Sequence, residues 1–375
     1  MKKIRLSKCS LNKSVYSSVK KILDSDFLGM GPEVKKFEDS LKKKFKRKTV
    51  CVSSGTAALH LSIEALDLSK DAEIIIPSNT YVAGLQAILA SNKKPVLCDI
   101  NYDDLSMSIE DLEAKITKKT KVIMPTLYSG DPGNILDIYK LAKKYNLRVI
   151  EDAAHAFGSF LNKKLIGTFG DIVCFSFDGI KNITSGEGGC VVSKDEKIIR
   201  RVQESRFLGI IKESSNRYKK KKQFEFDVKY PGWRYHMSDI MASIGIAQLK
   251  QLNSFRKKRQ KIARKYVDLL SKNKNISILN YNFDEICPHI FVIISKKKIN
   301  RIKLKNYFEK KNIEIGFHWK PLHELTVIKK NYKFKNLNNS KKLRDRILTL
   351  PIHVDLSIQD ILYVVKHINR FFNGK

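Results

Sequence analysis

The sequence predicts an α/β fold: a largely parallel central sheet covered by helices on both faces, with a smaller α/β unit after it. Two observations carry this. Between residues 33 and 192, short apolar runs alternate with segments of helical periodicity, the pattern of strands joined by crossover helices. The residues able to do chemistry fall directly after those runs, where ligands sit on such sheets. The 375 residues suffice for two domains and a sizeable core.

Residues 33–46 place Val34, Phe37, Leu41 and Phe45 on one side of a helix. The strand Thr49-Val50-Cys51-Val52 ends at Ser53-Ser54-Gly55-Thr56, and Ala57-Ala58-Leu59-His60-Leu61 opens a helix. Strand, Ser/Gly/Thr turn and helix form a phosphate cradle, because helix N-terminal amides lack partners and the helix dipole favours an anion. The alternative is an ordinary Ser or Thr N-cap.

A strand at 73–77 leads through Ser78-Asn79-Thr80-Tyr81 into a helix at 82–90. Strands at 95–99 and 121–125, a helix at 134–145 and a strand at 148–152 follow. That last run ends in Asp152-Ala153-Ala154-His155. A carboxylate at a buried strand end must be paired or hold a cation, and the alanines admit a flat ligand. The plainer readings are an N-capping Asp152 and a core His155 with its hydrogen bonds satisfied.

Everything else is organised around Phe175 to Gly189, which reads Phe-Ser-Phe-Asp-Gly-Ile-Lys-Asn-Ile-Thr-Ser-Gly-Glu-Gly-Gly. It lies between the apolar runs 172–175 and 190–192. Burial there lowers the pKa of Lys181 and frees its amine, as a Schiff-base lysine needs. A solvated loop lysine is the alternative. The surrounding hydroxyls and glycines (Ser176, Thr184, Ser185, Gly186, Gly188 and Gly189) favour the first reading, since they let backbone crowd a polar ligand.

Beyond Gly189, residues 196–207 read as a helix and 212–229 as a polar, Lys-rich loop. Tyr230 to Met237 precedes a single long helix running from Ser238 through Leu249, Leu252 and Phe255 to about Leu270. That helix reads as the bridge between a large domain, 1–250, and a small one, 251–375. The small domain is expected to hold strands near 276–279, 289–295 and 313–317, and helices over 302–311 and 357–372.

The balance of 72 basic to 38 acidic residues, +34, invites a nucleic-acid reading. The lysines are spread along the chain, however, and the basic runs Lys42-Lys43-Lys44, Lys219 to Lys222 and Arg256-Lys257-Lys258-Arg259 carry no stacking aromatics. Each reads as a solvated face, with attraction of anionic substrates second, so no nucleic-acid partner is expected. No apolar run reaches the length of a membrane span, and no signal-peptide core follows Met1-Lys2-Lys3-Ile4-Arg5. The chain therefore reads as cytoplasmic. The six cysteines lack CxxC spacing, and neither disulfides nor a metal are expected.

Taken together, the chain resembles the DegT/DnrJ/EryC1/StrS family from Leu28-Gly29-Met30-Gly31-Pro32 to Leu350-Pro351. Four motifs carry the resemblance in order: Ser53-Ser54-Gly55-Thr56-Ala57-Ala58-Leu59, Pro77-Ser78-Asn79-Thr80-Tyr81-Val82-Ala83, Glu151-Asp152-Ala153-Ala154-His155-Ala156, and Phe175-Ser176-Phe177 with Lys181 and Gly186-Glu187-Gly188-Gly189. The resemblance implies a fold-type-I pyridoxal-phosphate (PLP) transferase, a homodimer with shared sites. It implies amination of a keto-sugar nucleotide, with glutamate as donor. Lys181 would hold the cofactor covalently and move the proton, and Asp152 would pair with the pyridinium nitrogen. Gly55, Thr56, Ala57 and Ser176 would bind the phosphate end, Tyr81 would lie over the ring, and His155 would sit near the ring hydroxyl.

The chain also departs from the family pattern. Arg234 stands where the family often has an Asn reaching the neighbouring subunit's phosphate, and a guanidinium can do the same. Asn79 replaces a common aromatic, and Leu127-Tyr128-Ser129-Gly130 lacks the frequent His-Leu-Tyr-Gly form. The segment from His318 through Lys320 to His323 is similar to the family's substrate-side loop. A sugar dehydratase is the alternative on this scaffold, but those relatives carry histidine in place of the lysine. A regulatory or nucleic-acid-binding protein is the other, and the intact Lys181, Asp152 and Gly55-Thr56 set argues against it.

Overall fold

Residues 3–211 and 227–374 are described by the computed structural model. The large sheet has seven strands, in the order Lys48–Val52, Gly189–Ser193, Ile172–Ser176, Arg148–Asp152, Thr120–Ile123, Glu73–Pro77 and Lys94–Cys98. All run the same way except Gly189–Ser193, which is antiparallel to both neighbours. The cause is the 177–188 connection. It folds back on itself, with Phe177 N donating to Gly188 O at 2.8 Å and Ser185 N to Phe177 O at 2.9 Å. A folded turn, unlike a crossover helix, returns the chain antiparallel.

Both faces of this sheet are covered, so its strands read as continuous apolar runs. Along Ile172–Ser176 the side chains alternate between two cores. Ile172 and Cys174 join Leu59, Leu61, Ile76 and Ile150 on one face. Val173 and Phe175 join Phe37, Leu41, Phe45 and Phe157 on the other. A separate three-stranded antiparallel sheet, Ile276–Ile278, Phe291–Ser295 and Ile347–Leu350, packs with Tyr266, Phe308 and Ile368 around a third core.

Three expectations need correction. The single long helix is two helices, Asp239–Leu249 and Leu252–Leu270, broken at Lys250-Gln251. The first half lies against Phe37, so closely that a Cβ on Gly245 would meet its ring at 2.7 Å. Most of the second turns Ile262, Ala263, Tyr266 and Leu270 to the C-terminal core. The expected strand at 313–317 makes isolated bridges alone, Ile313 to Ile4 and Gly316 to Thr349. Its two ends meet different neighbours, so no ladder extends. The loop expected at 212–229 lies outside the described residues as far as 226, and Asp227–Val228 pairs antiparallel with Ile210–Ile211.

A helix not anticipated, Lys13–Leu23, packs on Asp239–Leu249. It is capped by Asn12, whose side chain accepts from Val15 N at 3.3 Å. No helix among the described residues is long and apolar enough to cross a membrane.

Candidate active site

A cavity of about 410 Å³ opens at the C-terminal ends of the parallel strands. Gly55, Thr56, Tyr81, Asp152, His155, Ser176, Lys181 and His318 all line it. Residues far apart in sequence are thus brought together where the topology places ligand chemistry.

The helix Gly55–Glu64 points its N-terminus into this space. Ser54 caps it: its Oγ accepts from Ala57 N at 3.0 Å, and its carbonyl accepts from Ala58 N at 3.1 Å. Among the described residues, the amides of Gly55 and Thr56 remain as the open donors. A Cβ on Gly55 would meet Ser176 Cβ at 2.8 Å, so glycine lets helix start and strand end approach. Ala57 does not line the cavity. Its amide is taken by the cap and its methyl is buried in the sheet core.

Asp152 ends its strand at 6% exposure. Among the described residues its side chain receives one hydrogen bond, from Ala154 N to Oδ1 at 3.2 Å. Burial pushes its pKa up, while the Ala154 amide and Lys181 pull it down. Lys181 is the converse. Burial lowers its pKa, and Asp152 and Asp178 oppose that shift. The lysine is placed by its neighbours: Lys181 N donates to Asp178 O at 3.0 Å, and Asn182 is anchored in the interior. A buried, under-partnered carboxylate and a half-buried amine facing one cavity mark a chemical site.

His155 is buried, and among the described residues its Nδ1 has no hydrogen-bond partner. Its pKa falls well below the ordinary value, through burial first and then Lys181 and His318. Burial, with Lys181, lowers His318 to about 4. Both rings are neutral near pH 7. His318 is held by Thr349 Oγ1 at 2.7 Å from Nδ1, and its carbonyl accepts from Tyr128 Oη at 2.6 Å. Tyr81, 54% exposed, stands at the mouth with its ring centroid 6.1 Å from that of Trp319.

Besides Ala57, three sequence-predicted residues lie outside the cavity of their own chain. Arg234 is exposed, its backbone bridged to Phe207. Lys320 is exposed on the far side of Trp319 in sequence. His323 is engaged in docking: its Nδ1 and Ser78 Oγ lie 2.7 Å apart, and Leu322 N donates to Ser78 O at 2.7 Å. Sequence reasoning missed Thr126, Glu187, His289 and Trp319, which also line the cavity. Trp319 sat inside a segment already singled out. Thr126 follows a strand, which was a usable signal. His289 merely precedes an apolar run, which was none.

The groups fit an anion at the helix start and an N–H or cation at Asp152, with an amine lining the same cavity. The sequence pattern of the DegT/DnrJ/EryC1/StrS aminotransferase family matches residues 10–369. GDP-perosamine synthase of Escherichia coli O157:H7 is 34% identical over 380 residues, covering 100% of each chain. The structure is similar to Helicobacter pylori PseC, an aminotransferase involved in the biosynthesis of pseudoaminic acid, at TM-score 0.94, 26% identity and 100% of both chains. It is also similar to the PLP-form of the putative sugar aminotransferase Spr1654 of Streptococcus pneumoniae, at TM-score 0.91, 26% identity and 99% of both chains.

Proposed function

The chain belongs to the DegT/DnrJ/EryC1/StrS aminotransferase family, and from that membership we propose that it transfers an amino group from glutamate to the keto group of a nucleotide-linked sugar. Enzymes of this family depend on pyridoxal 5′-phosphate, and a similar solved structure is in its PLP-form. When bound, that group supplies an electron sink at the amino-bearing carbon.

The observation that carries the proposal is Lys181 and Asp152 lining one cavity behind an open helix N-terminus. In this reading Gly55 and Thr56 amides and Ser176 hold the phosphate end. Asp152 holds the ring N–H, since a buried carboxylate with one neutral donor has capacity for a charged one. Lys181 tethers the cofactor, and its lowered pKa suits Nζ to take and return a proton. His155 and Tyr81 orient and cover the ring. The likeness to GDP-perosamine synthase over the full chain supports a nucleotide-linked substrate.

We read residues 1–250 as the cofactor-binding domain and 251–375 as the smaller one, which brings His318 and Trp319 to the cavity. We take the working unit to be a homodimer. The test is to incubate purified protein with PLP, glutamate and a panel of keto-sugar nucleotides, and follow amino-sugar product by mass. Glutamate-dependent amination of one panel member is expected. Uptake of PLP with no amination across the panel, whatever the donor, would remove the sugar-nucleotide reading.

A further inference from the structure

His155 lines the cavity, yet among the described residues its side chain makes no hydrogen bond. Something else must fix the ring. Its nearest aromatic neighbour is His289, at 4.2 Å between centroids and 47° between planes. Trp319 follows at 5.2 Å. His289 is buried, lines the same cavity, and likewise has an unpartnered Nδ1. The rings meet tilted to one another, and among the described residues no hydrogen bond joins them.

The backbone of His289 is clamped on both sides. Its N donates to Ser129 O at 2.9 Å. Its carbonyl accepts from Arg259 Nη1 at 3.2 Å, and the same nitrogen reaches Pro288 O at 3.2 Å and Ile352 O at 3.4 Å. Arg259 is 2% exposed and has no carboxylate partner among the described residues. Burying a guanidinium without an anion is costly, so this clamp fixes residues 288–289 at the expense of stability. Asn182, beside Lys181, donates to the carbonyls of both His155 and Cys287. The strand-end turn, the lysine loop and the His289 segment are therefore one rigid frame.

We propose that His289 is a positioning residue: its ring is the fixed face against which His155 is held toward the cofactor. The inference rests on PLP occupying this cavity beside His155. Replacing the ring would open a gap behind His155 and let it turn, with no hydrogen bond to hold it.

The test compares His289→Ala and His289→Phe with the parent, each reconstituted with PLP. Readouts are visible circular dichroism of the bound cofactor, its release rate on dilution, and kcat against KM for glutamate. His289→Ala is expected to lose visible ellipticity, release PLP severalfold faster and lose about tenfold to a hundredfold in kcat, the scale of a sub-ångström to ångström displacement. His289→Phe, flat but without nitrogens, is expected to restore the ellipticity and retention. Should His289→Ala not fold, His289→Leu fills the space without a flat face and is expected to behave as the Ala variant would. Parent-like ellipticity and release in His289→Ala or His289→Leu would overturn the proposal. So would a His289→Phe protein as impaired as they are, because a nitrogen would then be doing the work. A parent protein that takes up no PLP would instead overturn the cofactor reading itself.

Discussion

Asn182 holds His155 by the backbone: its side-chain amide donates to the His155 carbonyl at 3.3 Å. The same nitrogen reaches the carbonyls of Phe157 at 3.1 Å and Cys287 at 3.0 Å. Lys181 is thus tied through its neighbour to the turn after Asp152. Asn182→Ala leaves those buried carbonyls without this donor, a loss of about 1–3 kcal/mol. Urea denaturation of the two proteins measures it. Equal midpoints would mean that other donors or water already satisfy the three oxygens.

Lys181→Ala is expected to abolish transamination while leaving the fold intact, since tether and proton carrier are one group. Borohydride treatment of the parent should fix the cofactor on the peptide containing Lys181, and the variant should show no such mass shift. Near-normal turnover by the variant would refute the assignment.

Asp152→Asn is expected to keep the cofactor and lose most activity. A neutral amide no longer holds the ring nitrogen's proton, and one charge-assisted contact in a dry site is worth on the order of a few kcal/mol in the barrier. A turnover number within roughly twofold of the parent, far short of that loss, would assign the ring nitrogen to another group.

The residues that lie closest to strand ends were legible in the sequence. Gly55, Asp152 and Ser176 end or closely follow apolar runs, Lys181 lies on the turn after one, and parallel topology carries such ends to one edge. The antiparallel strand Gly189–Ser193 was not legible, because an apolar run has no direction and the fold-back hydrogen bonds of Phe177 and Ser185 are tertiary facts. The break at Lys250-Gln251 was hidden for a related reason. Apolar spacing continues through Leu249 and Leu252, which face the same core, and further along Ile262 and Tyr266 turn to another. His289 meets His155 solely through the folding of the second sheet against the first, and no local pattern encodes that.

His318 gives a pH prediction. Its pKa is about 4 in the folded protein against 6.5 for the free side chain. Between these values the unfolded chain binds more protons, so the His318 contribution is complete above 6.5 and is lost as pH falls toward 4. The loss amounts to about 3 kcal/mol at most. Glu151 opposes it, because burial raises its carboxyl to about 7 and favours the folded state at low pH. The observable is therefore the difference between parent and His318→Gln. Denaturation midpoints measured from pH 7 down to 4.5 should show the variant losing less stability than the parent. Parallel curves would mean that His318 is not held neutral by the fold.

Arg234 lies outside its own cavity, and its side chain is exposed. Its flanking aromatics are settled within the chain. Trp233 and Tyr235 pack on the sheet core, with the His60 ring 4.7 Å from that of Trp233. Aromatic packing therefore fixes the backbone on both sides of Arg234 and presents the guanidinium outward. An exposed cation so rigidly presented suits capture of an anion on a second copy of the chain, and the phosphate end of the partner's cofactor is the anion proposed. Arg234→Ala is then expected to release PLP faster although Arg234 does not line its own cavity. Mixing Arg234→Ala with Lys181→Ala chains provides the decisive case. A mixed dimer builds one site carrying both lesions and one carrying neither, so activity should reappear in the mixture when each parent variant is impaired. No recovery after demonstrated subunit exchange, or full activity from a species that light scattering shows to be a monomer at assay concentration, would end the shared-site reading.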